Sequence, residues 1–193
     1  MLVLILGLLL FLGVHSTRLF AAEWRATRIN KMGMLPYKGA YALIALLGLV
    51  LIIWGYGSAR MAPTWLWVPP VWTRHMAALL TLPAFVLLAA TYIPGTHIKA
   101  RVGHPMLLGV KFWAVAHLLA NGTLADLLLF GSFLVWAVAL YVVSRRRDRM
   151  AGVTAPAGRA SRDALAVVVG LVAWVIFAMW LHGLLIGVKP FGG

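Results

Sequence analysis

The chain has 193 residues, of which 63% are hydrophobic and only 11% are charged. A soluble domain of this size cannot bury so large an apolar fraction, because too much of its surface has to face water. The composition therefore excludes a water-soluble globular protein, and the formal net charge of +13 is read as a signal of membrane topology rather than of nucleic-acid binding.

Six apolar segments are long enough to cross a bilayer, since a helical crossing needs roughly 20 apolar residues. They are predicted at about 2–20, 39–59, 75–93, 104–120, 124–143 and 164–187. Met1 leads directly into leucine-rich sequence with no basic region, so the first segment is expected to remain as a span rather than to be cleaved as a signal peptide. The predicted fold is an all-α, polytopic membrane bundle that forms one domain over residues 1–193.

The connections between these segments predict the orientation of the bundle. The loops after spans one, three and five carry 13 lysines and arginines, whereas the opposite side carries three. This bias places both termini outside the cytoplasm, and it also predicts contact with anionic lipid headgroups. The stretch 63–72 is predicted to be an interfacial loop, Asn121-Gly122 a tight turn, and 144–163 a basic cytoplasmic loop.

The side chains available for chemistry are few. Cysteine is absent and only four residues are acidic, which excludes disulfides, thiolate ligands, iron–sulfur clusters and paired carboxylates for acid–base catalysis. The six histidines remain, and imidazole suits haem iron, zinc or copper. Haem b is favoured because it needs two imidazoles beside an apolar slot and cations near its propionates, whereas a histidine-only zinc site needs three convergent ligands. Histidines that only hydrogen-bond between helices or lie at the interface are the third interpretation.

His117 is the strongest ligand candidate, because it lies deep in span four with Trp113 and Asn121 one turn away on the same face. His15 lies in span one, and Arg18 follows three residues later on the same predicted helix face, where it is placed to meet a propionate. Rise per residue separates these two histidines by roughly 10 Å in depth. A tilted helix or a slanted haem reduces that gap.

The remaining histidines leave alternatives open. His75 with His117, or His15 with His104, are the pairs closest in depth. His104 shares a helix face with Lys111 and is either functional or interfacial, and Arg74 and His75 are candidates to meet a haem propionate or a lipid phosphate. Two others are expected outside any cofactor site, namely His182 as a structural residue and His97 as a solvated one.

Several segments resemble the NnrU family of bacterial inner-membrane proteins. They are GVHSTR at 13–18, WGY at 54–56, RH at 74–75 and HPMLLGVKFWAVAHLLANG at 104–122, and the likeness extends over nearly the whole chain. The resemblance implies a multi-pass protein of the bacterial inner membrane that is associated with nitrite and nitric oxide reduction during denitrification.

The NnrU family is similar in turn to 15-cis-ζ-carotene isomerase, an integral membrane haem b enzyme. That likeness implies His15 and His117 as the axial ligands, with Arg18 and Arg74 as candidate propionate partners. Ala114 stands where the isomerase has a cysteine, so ligand exchange of that kind is not expected here.

Three functions follow as alternatives. The first is a redox or nitric-oxide-handling haem protein, the second is an isomerase that acts on a lipophilic polyene, and the third is a haem-free scaffold for a respiratory complex. Glycines at 39, 48, 55 and 57 in span two allow close helix contact, which serves either a homodimer or packing within one chain.

Overall fold

The computed structural model describes residues 1–191 of the chain, and the regular structure in that range is helical. In chain order the helices are α1 (Leu2–His15), α2 (Thr17–Phe20), α3 (Ala22–Met32), α4 (Met34–Met61), α5 (Trp72–Tyr92), α6 (His97–Val102), α7 (Pro105–Ala120), α8 (Leu124–Met150), α9 (Ala160–Ile176) and α10 (His182–Ile186), with a π-helical turn (Phe177–Leu181) joining the last two.

Four of these helical segments are long and apolar enough to cross a membrane. They are Met34–Met61, Trp72–Tyr92, Leu124–Met150 and Ala160–Ile186, and they correspond to predicted spans two, three, five and six. Predicted spans one and four are shorter apolar helices, α1 and α7. The all-α class and the multi-pass character are thus confirmed, whereas six crossings and the side on which the termini lie remain predictions.

Several helices end at other residues than predicted. Helix α1 stops at His15, and the hydroxyl of Ser16 donates to the Leu12 carbonyl at that point. The first basic loop is largely helical, as α3, and α8 continues seven residues past its predicted end at 143. Arginine and lysine are good helix formers, so an apolar span extends readily into a charged helix once it leaves the hydrocarbon.

The chain folds as two compact units. The first contains residues 1–67 and 122–136, and the second contains residues 68–121 and the chain from 137 onward. In the first unit α1 packs along α4, and the beginning of α8 contacts α1 through the rings of Phe11 and Phe133, whose centroids are 5.8 Å apart. In the second unit α5 packs against both α7 and α9.

Glycines set the approach of α1 to α4. A Cβ at Gly48 would lie 2.7 Å from the Phe11 nitrogen, and a Cβ at Gly55 would overlap the backbone of Leu4. A Cβ at Gly39 or Gly57 would meet open space. Two of the four glycines singled out in span two therefore serve packing within the chain.

The start of α8 is held by Asp126, which is buried. Its carboxylate accepts hydrogen bonds from the backbone and the hydroxyl of Thr123, at 2.9 and 2.6 Å, and from the phenol of Tyr56 at 2.6 Å. The carbonyl of Gly122, one residue before, accepts from the backbone N–H groups of Leu66 and Trp67. These bonds fix residues 66–67, in the predicted non-helical stretch, against the start of α8.

The glycine contacts generate a paired prediction. Replacing Gly55 by leucine forces α1 and α4 apart, and we expect it to lower the free energy of unfolding by about 3 kcal/mol, at the upper end for overpacking. Gly57→Leu is the matched control, because its side chain enters open space. Unfolding of both variants in an SDS titration, followed by circular dichroism, checks this. Equal midpoints for the two variants contradict the close contact.

Candidate functional site

His15 is the last residue of α1, and aromatic rings surround it. Its Nδ1 lies 2.6 Å from the carbonyl oxygen of Phe11, one turn earlier. The ring centroids of Phe11, Tyr41 and Trp136 lie 4.3, 5.3 and 6.2 Å from that of His15. Because Nδ1 donates its hydrogen to this carbonyl, the lone pair lies on Nε2. Nε2 is therefore the nitrogen of His15 that could bind a metal.

The indole of Trp136 adds an unusual group beside this imidazole. Its Nε1–H is buried and has no hydrogen-bond partner among residues 1–191. Buried polar groups are nearly always paired. An acceptor on a bound molecule next to His15 would satisfy this donor.

Arg18 was expected on the same helix face as His15. That expectation assumed one continuous helix, but the chain leaves α1 at Ser16 and enters the short helix α2. The three-residue spacing therefore no longer lies within one uninterrupted helix, and the shared face of Arg18 and His15 stays a prediction. Arg18 is exposed at this end of the first unit.

His117 lies on α7 in the second unit and is anchored as His15 is. Its Nδ1 lies 2.8 Å from the carbonyl oxygen of Trp113, and the two rings are 5.2 Å apart. Asn121 donates its side-chain amide to the backbone carbonyl of His117 at 2.8 Å. Both neighbours thus touch His117 as predicted, Trp113 at the imidazole and Asn121 at the backbone carbonyl.

His182 was expected to be structural, yet it lies beside His117. The two ring centroids are 6.5 Å apart and the ring planes differ by 24°. Nδ1 of His182 lies 2.6 Å from the carbonyl oxygen of Val188, and Phe177 meets the ring edge-on at 5.8 Å. Sequence reasoning missed this neighbour because it depends on the π-helical turn before His182, which leaves no trace in the hydropathy pattern.

His104 is bound to a carboxylate at the end of α8. Its Nε2 lies 2.8 Å from Oδ2 of Asp148. Lys111, on the same face of α7 as predicted, places its ammonium 3.9 Å from the ring centre of Tyr141, a cation–π contact that stabilises a charge in apolar surroundings. The structure gives His104 a hydrogen-bonded carboxylate partner, and its two predicted roles, functional or interfacial, stay predictions.

Arg74, His75 and His97 are the remaining residues considered in the sequence. Arg74 and His75 are exposed in the first turn of α5. His97, expected to be only solvated, has its Nδ1 2.7 Å from Oδ2 of Asp163. Within residues 1–191 no group of three histidine or acidic side chains is placed to hold a metal ion, so the three-ligand zinc site has no candidate there.

The first unit also contains an apolar groove of about 440 Å³. One face of α1 and α2 forms one side, and Leu128 and Ser132 of α8 form the other. Ser16 and Thr17, which follow His15 directly, lie at one end of the α1 face. No charged side chain appears among the described residues that line it, so the groove suits a neutral, lipophilic molecule.

No curated protein and no solved structure matches this chain. The family model described as NnrU protein matches residues 3–190, which is nearly the whole sequence. The motifs around His15 and His117 lie inside that match. The chain therefore belongs to the NnrU family.

Proposed function

We propose that this NnrU-family protein binds haem b in the bacterial inner membrane and takes part in redox or nitric-oxide handling during nitrite and nitric oxide reduction. His117 is one axial ligand, and the resemblance to the carotene isomerase implies His15 as the other. The observation that carries the proposal is the shared anchoring of the two histidines. Each places Nδ1 against the carbonyl four residues earlier, the arrangement that orients metal-binding histidines.

The residues present fit a haem. Backbone carbonyls orient the imidazoles, so the scarcity of carboxylates is no obstacle. Phe11, Tyr41 and Trp136 supply flat apolar surfaces beside His15, and Arg18 and Arg74 are the cations proposed for the propionates. When bound, haem supplies one-electron redox chemistry. A pair of imidazole ligands favours electron transfer over binding of a gas, because both axial positions are taken.

The visible spectrum tests this proposal. We expect the detergent-purified protein to have a Soret band, and His117→Ala to lose it, because the substitution removes an iron ligand. His97→Ala is the matched control, an exposed histidine of the same unit that is expected outside any cofactor site, and should keep the spectrum. A colourless wild-type protein that is fully folded contradicts haem binding and favours the haem-free scaffold.

The apolar groove beside α1 favours a second candidate function. A neutral, apolar groove of about 440 Å³ offers a surface for part of a lipophilic polyene, and such a molecule is the substrate that a carotenoid cis–trans isomerase requires. Ser16 and Thr17 place one end of the groove next to His15 in the chain. This makes a haem-dependent isomerase the alternative to the redox function.

Incubation with 9,15,9′-tri-cis-ζ-carotene separates the two functions. Because Ala114 replaces the isomerase cysteine, we expect the chemically reduced protein to leave the double-bond geometry unchanged. Chromatography of the extracted carotenoid is the measurement. Conversion by wild type, together with its loss in His117→Ala, would instead establish the isomerase function.

We further propose six crossings, with both termini outside the cytoplasm. Helices α1 and α7 have 14 and 16 residues, which at 1.5 Å per residue give about 21 and 24 Å. These lengths are below the roughly 30 Å of hydrocarbon, and local thinning of the bilayer accommodates such a mismatch at small cost.

The absence of cysteine makes this topology directly testable. Thr154→Cys and Val68→Cys each introduce one exposed thiol, in the connections before α9 and before α5. In intact cells an impermeant maleimide should label Cys at 68 but not at 154, and permeabilisation should expose both. The reverse labelling pattern contradicts the proposed orientation.

A further inference from the structure

We propose that helix α3 lies in the headgroup region of the membrane and binds anionic lipid through one of its faces. The inference is independent of the proposed haem binding. It goes beyond the general lipid contact expected from the loop charges, because it assigns that contact to one face of one helix. The partner is defined by its chemistry, a surface of negatively charged phospholipid headgroups.

The arrangement of side chains around α3 is the first argument. At about 100° per residue, the helix divides into two halves. One half carries all of its cations and its large apolar side chains, namely Trp24, Arg25, Arg28, Ile29, Lys31 and Met32. The other half carries its only acidic residue and its small or neutral polar residues, namely Ala22, Glu23, Ala26, Thr27 and Asn30. Cations and apolar groups on one face are both satisfied where hydrocarbon meets headgroups, because the basic side chains extend their charges outward along apolar surface.

The exposure of the apolar side chains is the second argument. Trp24 is 50% exposed and Met32 46%, and Phe20, just before α3, is 85% exposed. The contact of α3 with α4 includes the guanidinium of Arg25, which lies 5.6 Å from the ring centre of Tyr37. That contact leaves the apolar face of α3 uncovered. Exposed apolar side chains grouped in this way mark a surface that binds a membrane or another molecule.

The charges identify which of these the surface fits. Within residues 1–191 no carboxylate lies at ion-pair distance from Arg25, Arg28 or Lys31. The guanidinium of Arg28 lies over the ring of Trp24, 5.5 Å from its centre, so a cation and an aromatic ring share one side of the helix. Tryptophan is enriched where membrane meets water, and each lysine or arginine near an anionic leaflet raises membrane affinity roughly fivefold. Anionic lipid therefore complements both the charge and the apolar groups of this face.

Gly33 sets the direction of α3. This residue separates α3 from α4 and has φ 85° and ψ 163°, a backbone conformation that essentially only glycine adopts. Helix α3 therefore does not continue the apolar helix α4. Its 11 residues give a length of about 16 Å, too short to cross a bilayer and suited to lying along its surface.

Spin labels on the full-length protein in nanodiscs test the proposal. Because the chain has no cysteine, Met32→Cys places a single nitroxide on the proposed lipid face, and Thr27→Cys places one on the opposite face as the matched control. Electron paramagnetic resonance measures collisions of each label with oxygen, which concentrates in lipid, and with a water-soluble nickel chelate. With phosphatidylglycerol present, we expect the label at position 32 to meet oxygen and avoid nickel, and the label at position 27 to show the reverse.

Removal of charge tests the preference for anionic lipid. In nanodiscs of phosphatidylcholine alone, the label at position 32 should become accessible to nickel. Adding Arg28→Gln and Lys31→Gln to Met32→Cys should raise the fraction of phosphatidylglycerol needed to protect the label severalfold, because two of the attracted charges are gone. Both substituted side chains are exposed, and circular dichroism checks that the helical content is unchanged.

Three results would overturn the proposal. Access of nickel to position 32 in anionic nanodiscs would show that the face lies in water. Protection of this label from both oxygen and nickel would show that protein, such as a second copy of the chain, covers it. Equal protection in phosphatidylcholine and phosphatidylglycerol would show insertion without a preference for anionic lipid.

Discussion

The site depends on one kind of hydrogen bond, from a histidine Nδ1–H to a backbone carbonyl. In hydrocarbon an imidazole cannot leave its N–H without a partner, because the cost of an unpaired buried donor is comparable to that of a lost hydrogen bond. His15 and His117 meet this requirement with the carbonyl one turn earlier, and His182 with a carbonyl that follows it. The same bond fixes the tautomer, so the lone pair stays on Nε2, the atom that the proposed haem would need.

Three of the four carboxylates have hydrogen-bond partners away from His15, His117 and His182. Asp126 holds the start of α8, Asp148 binds His104 near its end, and Asp163 binds His97 at the start of α9. Each lies close to a helix terminus. Each accepts hydrogen bonds from residues outside its own helix. The side chains around His15 and His117 are therefore mainly imidazoles and aromatic rings.

Composition and apolar run lengths predicted the helical class and located every long helix, because burial in lipid requires long apolar runs. The contacts of Trp113 and Asn121 with His117 were also predictable, since they follow from helical periodicity alone. The break at Ser16 and the neighbour of His117 were not. Both depend on single-residue departures from helix geometry, namely an end to α1 and a π-helical turn, and these alter the face of a helix without altering its hydropathy.

Gly187 has a consequence beyond its own position. A side chain added there would touch nothing within 4 Å, so the only penalty is backbone strain, on the order of 1 kcal/mol for a left-handed residue. A missense change at this glycine should thus be silent in assays of abundance and insertion. Where the backbone relaxes to relieve this strain, the Val188 carbonyl moves away from His182, so the effect falls on the orientation of an imidazole five residues earlier.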